Sequence, residues 1–320
     1  MAGGNAVAAE KKRKRKNVNN TAYLFIAPFV IVFLIFSVYP VLRTLQMSFT
    51  DYKGYGNMTF VGLKNYIRVF QDKYFWKSLL HTLNIWILNI VLQLGLAFLL
   101  TVIFNDMKYK MRGLSIFRAL FYLPNIIACT SVAFLFQTLL DWRFGTLNQM
   151  LMKMHLIKAP IDWLGAVETK EFLGISYTSS LAPHVLAVIL AWMWFGNSFI
   201  MLMAGVQGIP KDYFEAAAID GAGRWKIFFK ITLPLLKPIL LYVSITSLIG
   251  GLQMFDLPFL MCGGTTGNPQ NTTQTMVMYM YKFGFETRQV GYASAIAYVL
   301  FAMILVVSVL QFKFVTRKED

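Results

Sequence analysis

Read only for its apolar and polar positions, the chain is a series of long uncharged runs separated by short charged segments. A helix rises about 1.5 Å per residue, so crossing a hydrocarbon core about 30 Å thick takes roughly 20 apolar residues. Six runs reach that length: 23–42, 83–104, 119–140, 186–206, 239–262 and 292–312. Together they hold no Lys or Arg and one acid, Asp256. The pattern predicts an all-α, polytopic membrane protein with six transmembrane helices. One domain, 23–312, would carry them between tails 1–22 and 313–320.

Composition supports a chain solvated largely by lipid. Hydrophobic residues make up 57% of the sequence and charged residues 14%, too little polar surface for a soluble globule of 320 residues. The net charge of +15 could suggest nucleic acid, but the basic residues sit between the apolar runs, where membrane orientation accounts for them. No nucleic-acid partner is called for.

An even number of spans puts both termini on one side. The cluster Lys11, Lys12, Arg13, Lys14, Arg15 and Lys16 marks that side as cytoplasmic. The segments 1–22, 105–118, 207–238 and 313–320 then hold 18 of the 30 basic residues, and the longer external segments 43–82, 141–185 and 263–291 hold 12. The first run, with internal Pro28 and Pro40 and no small-residue cleavage pattern, reads as a retained anchor and not a secretory signal. Cys129 and Cys262 with His81, His155 and His184 form neither a disulfide framework nor a metal-ligand pattern. In the first external segment, Tyr66, Val69, Phe70 and Tyr74 recur at helical spacing over 65–77, as an interfacial amphipathic helix or a surface loop.

The cytoplasmic segment 207–238 differs from the other connections. Pro210 suits the first position of a helix, Asp212 and Glu215 favour the positive end of its dipole, and Ala216, Ala217 and Ala218 carry it forward. Gly221 can end it in a left-handed conformation, and a second short helix over 222–230 would precede Pro234. Such a helix-turn-helix is either a rigid knob for another protein's groove or an ordinary connector.

These residues resemble the EAA loop of ABC importer permeases. Glu215, Ala216 and Ala217 are followed by Gly221 and then by Ile231, Leu233 and Pro234 at matching spacing. The wider run, with Tyr213, Ile219, Asp220 and Ala222, is similar to the carbohydrate-importer branch, of the maltose and glycerol-3-phosphate type and the first of its two permeases. Further patches recur in order: Ala27-Pro28, the stretch from Phe60 to Tyr66, Leu123-Pro124, Gly145 to Asn148, Trp192 with Gly196, and Phe255-Asp256. Two departures are His81-Thr82 where the family usually has Asn-Thr, and the run from Cys262 to Pro269 after Phe255-Asp256.

The resemblance implies a type I importer permease core in a bacterial cytoplasmic (inner) membrane, importing a disaccharide or oligosaccharide. It implies that Glu215, Ala216, Ala217, Asp220, Gly221, Ala222, Leu233 and Pro234 couple the chain to an ATPase. The implied partners are a homologous second permease, two ATPase subunits and an extracytoplasmic solute-binding protein. No phosphate-binding loop of the Gly-x-x-x-x-Gly-Lys-Ser/Thr type occurs, so the chain is expected to be no enzyme and to carry no cofactor, with ATP and Mg on the separate ATPase. The alternative is an ion-coupled secondary transporter, which would need buried titratable groups, and only Asp256 qualifies. A membrane-embedded enzyme would need a nucleophile, paired carboxylates or a metal site at membrane depth, and none is visible.

A sugar site pairs aromatic faces with amides and carboxylates. Trp194, Asn197 and Met201 share one face of the fourth run, with Trp192 near Gly196. In the fifth, Ser247, Gly250, Gly251 and Met254 form a stripe flanked by Gln253 and Asp256. These residues are either the substrate pathway or the small-residue seams that pack membrane helices together. Asn84, Asn89 and Gln93 read as interhelical hydrogen bonders.

Overall fold

The structure, a computed structural model, describes residues 23–104, 113–172 and 175–316, with the side chains of 169–178 and 316 left aside. The basic cluster at 11–16, most of the first cytoplasmic connection and the end of the C-terminal tail lie outside the described residues.

Among the described residues, five helices are long and apolar enough to span a membrane, six if one bent pair is counted as a single span. Helix α1 runs Tyr23–Ser48. Its first part, 23–36, is almost wholly exposed, and a π turn at Leu34–Val38 precedes the part that packs on the last helix. The short α2, Lys64–Gln71, is followed at once by α3, Lys73–Phe104. The amphipathic stretch expected over 65–77 is therefore two elements divided at Asp72. Val69 is buried beneath it while Phe70 and Tyr74 are exposed, as a surface helix with one apolar face requires.

The third apolar run is not one straight span. It forms α4, Leu114–Ile126, and α5, Cys129–Leu139, bent by 89° where Ile127 and Ala128 are extended. Helix α4 lies against α7, Ala182–Gln207, so closely that a Cβ on Gly196 would come within 1.8 Å of the Phe121 carbonyl. A side chain at 196 would force these helices apart. Between them the external segment contains α6, Thr146–Lys153, and an antiparallel hairpin, β1 Val167–Phe172 and β2 Ile175–Ser180, that the apolar pattern did not indicate.

The cytoplasmic connection forms α8, Lys211–Ile219, and α9, Arg224–Ile227, which continues through a π turn at Phe228–Thr232. The fifth run is interrupted: α10 is Lys237–Leu252, the backbone unwinds at Gln253 to Phe255, and α11 is Asp256–Met261. Helix α12, Met276–Tyr281, runs into a π turn at Lys282–Glu286, and α13 spans Val290–Thr316.

Three apolar clusters hold these elements. An outer one joins Ile85, Val132, Leu186, Met193 and Leu257. A second joins Phe75, Leu248, Met276 and Ile296. The third lies at the cytoplasmic end and joins Ala97, Phe199, Leu202, Phe214 and Leu236.

Candidate functional site

Two regions answer to the candidate residues. The first is the cytoplasmic knob. Pro210 takes the N-cap position, one residue before the helical start expected for it, and Asp212 lies in the first turn. At the other end Gly221 has φ of +69°. Its N–H donates to the Ala218 carbonyl at 3.1 Å, and the Ala222 N–H reaches back to Ala217 at 2.9 Å. This pair of bonds is the Schellman termination that a left-handed glycine makes accessible. No atom lies within 4 Å of a Cβ built on Gly221, so backbone conformation, and not crowding, is what demands glycine there.

Helix α8 has two faces. Phe214 is buried in the third apolar cluster, Ala217 is buried one turn on along the same face, and Phe228 nearby packs edge-on against Phe98 of α3 at 5.8 Å. Ala217, which resemblance grouped with the coupling residues, therefore faces inward as an anchor. Glu215, Ala216, Asp220 and Gly221 are exposed and Ala222 half-buried. Leu233 is half-buried and Pro234 exposed, where the chain turns back toward α10. Exposed beside them are Ile219, at 87%, with Tyr213, Trp225 and Phe229. Apolar surface of this kind beside water marks an interaction site. The three-residue spacing from Phe214 to Ala217 was the available signal that the rest of α8 faces outward.

The second region is a cavity of about 290 Å³ bounded by α3, α7, α10 and α11, with Cys129 at the start of α5. Trp194, Asn197, Ser247, Gly251, Gln253, Met254 and Asp256 all line it. Trp192 does not; it packs edge-on against Phe136 at 5.5 Å within the outer cluster. Opposite faces of α7 thus carry different duties, Trp194 toward the cavity and Trp192 toward the neighbouring helix. The two glycines of the stripe differ in the room they leave: a Cβ on Gly251 would lie 1.9 Å from the Trp86 ring, whereas one on Gly250 meets nothing within 4 Å. Gly251 seats Trp86, whose Nε1 donates to Ser247 Oγ at 3.3 Å. Gly250 leaves the space.

Sequence reasoning placed the polar residues of span two outside the site, and the structure divides them. Gln93 is an interhelical bonder, its Nε2 donating to Ser198 Oγ at 2.7 Å. Gln93 also lines the cavity, as does Asn89 one turn away, whereas Asn84 is exposed and does not. The lining therefore combines Trp194 and Phe255, several amides and hydroxyls, and the carboxylate of Asp256, with no Lys, Arg or His. This set of groups can pack on the apolar face of a sugar ring and bond its hydroxyls.

Above the cavity, an outer cluster ties α2 to α12 and α13. Asp72 accepts hydrogen bonds from the Tyr279 hydroxyl and, at 2.7 Å, from that of Tyr292. The Arg68 guanidinium lies 3.9 Å over the Tyr292 ring. Burial acts to raise the Asp72 pKa, but the bonds from Tyr279, Tyr292 and the backbone of Tyr74 and Phe75 outweigh it, leaving the carboxyl below its ordinary range.

The pattern of the family described as binding-protein-dependent transport system inner membrane component matches residues 107–319, which include the knob and every cavity-lining residue except Asn89 and Gln93 of α3. The chain belongs to that family. It is 33% identical over 292 residues to a lactose transport system permease protein of Rhizobium radiobacter, covering 91% of this chain and 92% of the relative. It is 30% identical over 303 residues to a trehalose/maltose transport system permease protein of Thermococcus litoralis, covering 93% and 94%. A bacterial ABC transporter involved in import of the acidic polysaccharide alginate contains a chain of the same fold, with a TM-score of 0.80 and 23% identity, covering 96% of this chain and 99% of that one. Membership of this family leaves the ion-coupled alternative without support.

Proposed function

We propose that the chain is one of two membrane subunits of an ATP-driven sugar importer in a bacterial cytoplasmic membrane, with both termini cytoplasmic. A solute-binding protein delivers a disaccharide or oligosaccharide to the outer side, and a separate ATPase pair docks on the knob from inside. The observation that carries this reading is the cavity itself, an aromatic and amide-lined space on the same helices that end in a rigid, apolar-tipped knob. Its volume is close to the roughly 300 Å³ at which ligand pockets begin. One carboxylate and no cation in the lining suit an uncharged sugar, because an anionic one would meet repulsion without a compensating partner on this subunit.

The knob converts nucleotide-driven motion into span motion through its buried side. Phe214 fixes α8 to the cluster containing Phe199 and Leu202 of α7, the helix that also carries Trp194 and Asn197. A displacement applied to Ile219 and Gly221 is thus delivered to a cavity wall through packed side chains.

The test is uptake of radiolabelled lactose, maltose and trehalose into proteoliposomes holding the chain with its second permease, ATPase pair and binding protein. Uptake of at least one sugar should require ATP and survive a protonophore. Uptake driven by an ion gradient without ATP would refute the proposal, as would absence of uptake of every sugar offered by a loaded binding protein.

A further inference from the structure

The interruption of the fifth span is held from outside the span. Between α10 and α11, Gln253, Met254 and Phe255 leave helical geometry, and the break presents Gln253, Phe255 and Asp256 to the cavity. Non-helical backbone at membrane depth persists only where its polar groups find partners. The Met254 carbonyl finds one in Thr275, whose Oγ1 donates to it at 2.9 Å. The same hydroxyl accepts the Met278 N–H at 3.3 Å, capping α12. Thr275 is fully buried, and its single hydroxyl is committed as donor to the break and as acceptor to the next helix.

Thr275 is itself held in place. The adjacent Met276 N–H donates to Thr82 Oγ1 on α3 at 2.9 Å. Gln274, also buried, bridges the Thr265 carbonyl and the Ser78 hydroxyl. A fixed donor thus reaches the break from an outer loop anchored on span two, while the break lacks a side-chain cap of its own at Phe255.

We propose that Thr275 is a positioning residue for the transport cavity: its hydroxyl holds the Met254 carbonyl so that the break stays open and Gln253 and Asp256 face the passing sugar. Thr275 touches no substrate. The geometric part stands on the hydrogen bonds alone, and the consequence for transport rests on the sugar-cavity reading above.

The assembled complex provides a test that needs no sugar. With Cys129, which lines the cavity, replaced by Ala and Cys262 buried, the thiols introduced by Gln253→Cys at the break and Ser247→Cys on α10 are labelled with a charged methanethiosulfonate reagent. Thr275→Val has nearly the shape of threonine but can make neither bond. It should slow labelling of Gln253→Cys about tenfold, the scale set by losing one buried hydrogen bond, leave Ser247→Cys unchanged, and reduce uptake of the transported sugar. Thr275→Ser should restore both rates. An unchanged or raised rate at Gln253→Cys overturns the proposal, as does an equal fall at both sites, which would show only general loosening. If the labelling contrast appears but the wild-type complex takes up none of the three sugars, the transport reading fails while the positioning of the break stands.

Discussion

The knob links α7 and α10, two of the helices that line the cavity, but knob and cavity are built on opposite principles. The knob is contiguous: residues 210–222 supply their own helix start, alanine body and glycine stop, and the tertiary structure adds mainly an anchor through Phe214 and Ala217. The cavity is assembled from segments of the chain between Asn89 and Pro258, and its break is held by Thr275, twenty-one positions from the carbonyl it bonds. The difference teaches that, on the proposed function, coupling would rest on a local motif and substrate fit on how distant helices are bent and seated.

If the two regions are separable, filling one should leave the other intact. Gly250→Trp places a large ring in open space and is expected to abolish uptake, with complex assembly and ATPase pull-down at wild-type levels. Loss of ATPase docking in that variant would break the comparison. Gly251→Ala sharpens it: the added methyl is driven into Trp86, so the expected effect is a stability loss of about 1–3 kcal/mol, seen as a lower Tm.

At the knob, Gly221→Val should act in the reverse direction, sparing the cavity while breaking the dock. A β-branched residue at φ of +69° costs roughly 1 kcal/mol or more. ATPase binding measured by titration of the reconstituted complex should weaken by about tenfold, the equivalent of 1.4 kcal/mol. Glu215→Lys, exposed on the same surface, should weaken it in the same direction. Wild-type docking and sugar-stimulated hydrolysis in both variants would show that the knob is a mere connector.

The smallest effect is expected at the outer cluster. Asp72→Asn keeps one acceptor but loses the charge that both tyrosines bond, so Tm should fall slightly and uptake little. The sign of the pH dependence follows from the lowered pKa. The contribution of Asp72 is fully present above the ordinary carboxylate value of 3.8 and is lost as pH falls through the depressed folded value. A Tm series from about pH 8 down to 3 should therefore show wild type and Asp72→Asn converging only at the acid end.

Of the fold, the sequence by itself determined what depends on composition over a long window or on residues close together. Six apolar runs are legible because lipid demands about 20 uncharged residues per crossing. The knob is legible because caps, alanines and a left-handed glycine act over a few residues. Most of the cavity wall was also legible, since Trp194, Asn197 and Met201 share a helix face at known spacing.

What only the tertiary structure decided is where that regularity fails. The 89° bend between α4 and α5 lies within a stretch that is long and apolar enough to cross a membrane, as the straight spans are, so length and apolarity do not reveal it. Gly250 and Gly251 are the same residue in adjacent positions; one faces empty space and the other receives Trp86 from a helix more than 150 residues earlier. Asn89 and Gln93 are both amides on one helix, but only Gln93 has Ser198 opposite it. In each case the deciding quantity is a contact between distant segments, and such contacts are set by how the helices pack, not by the local preferences of the residues that meet there.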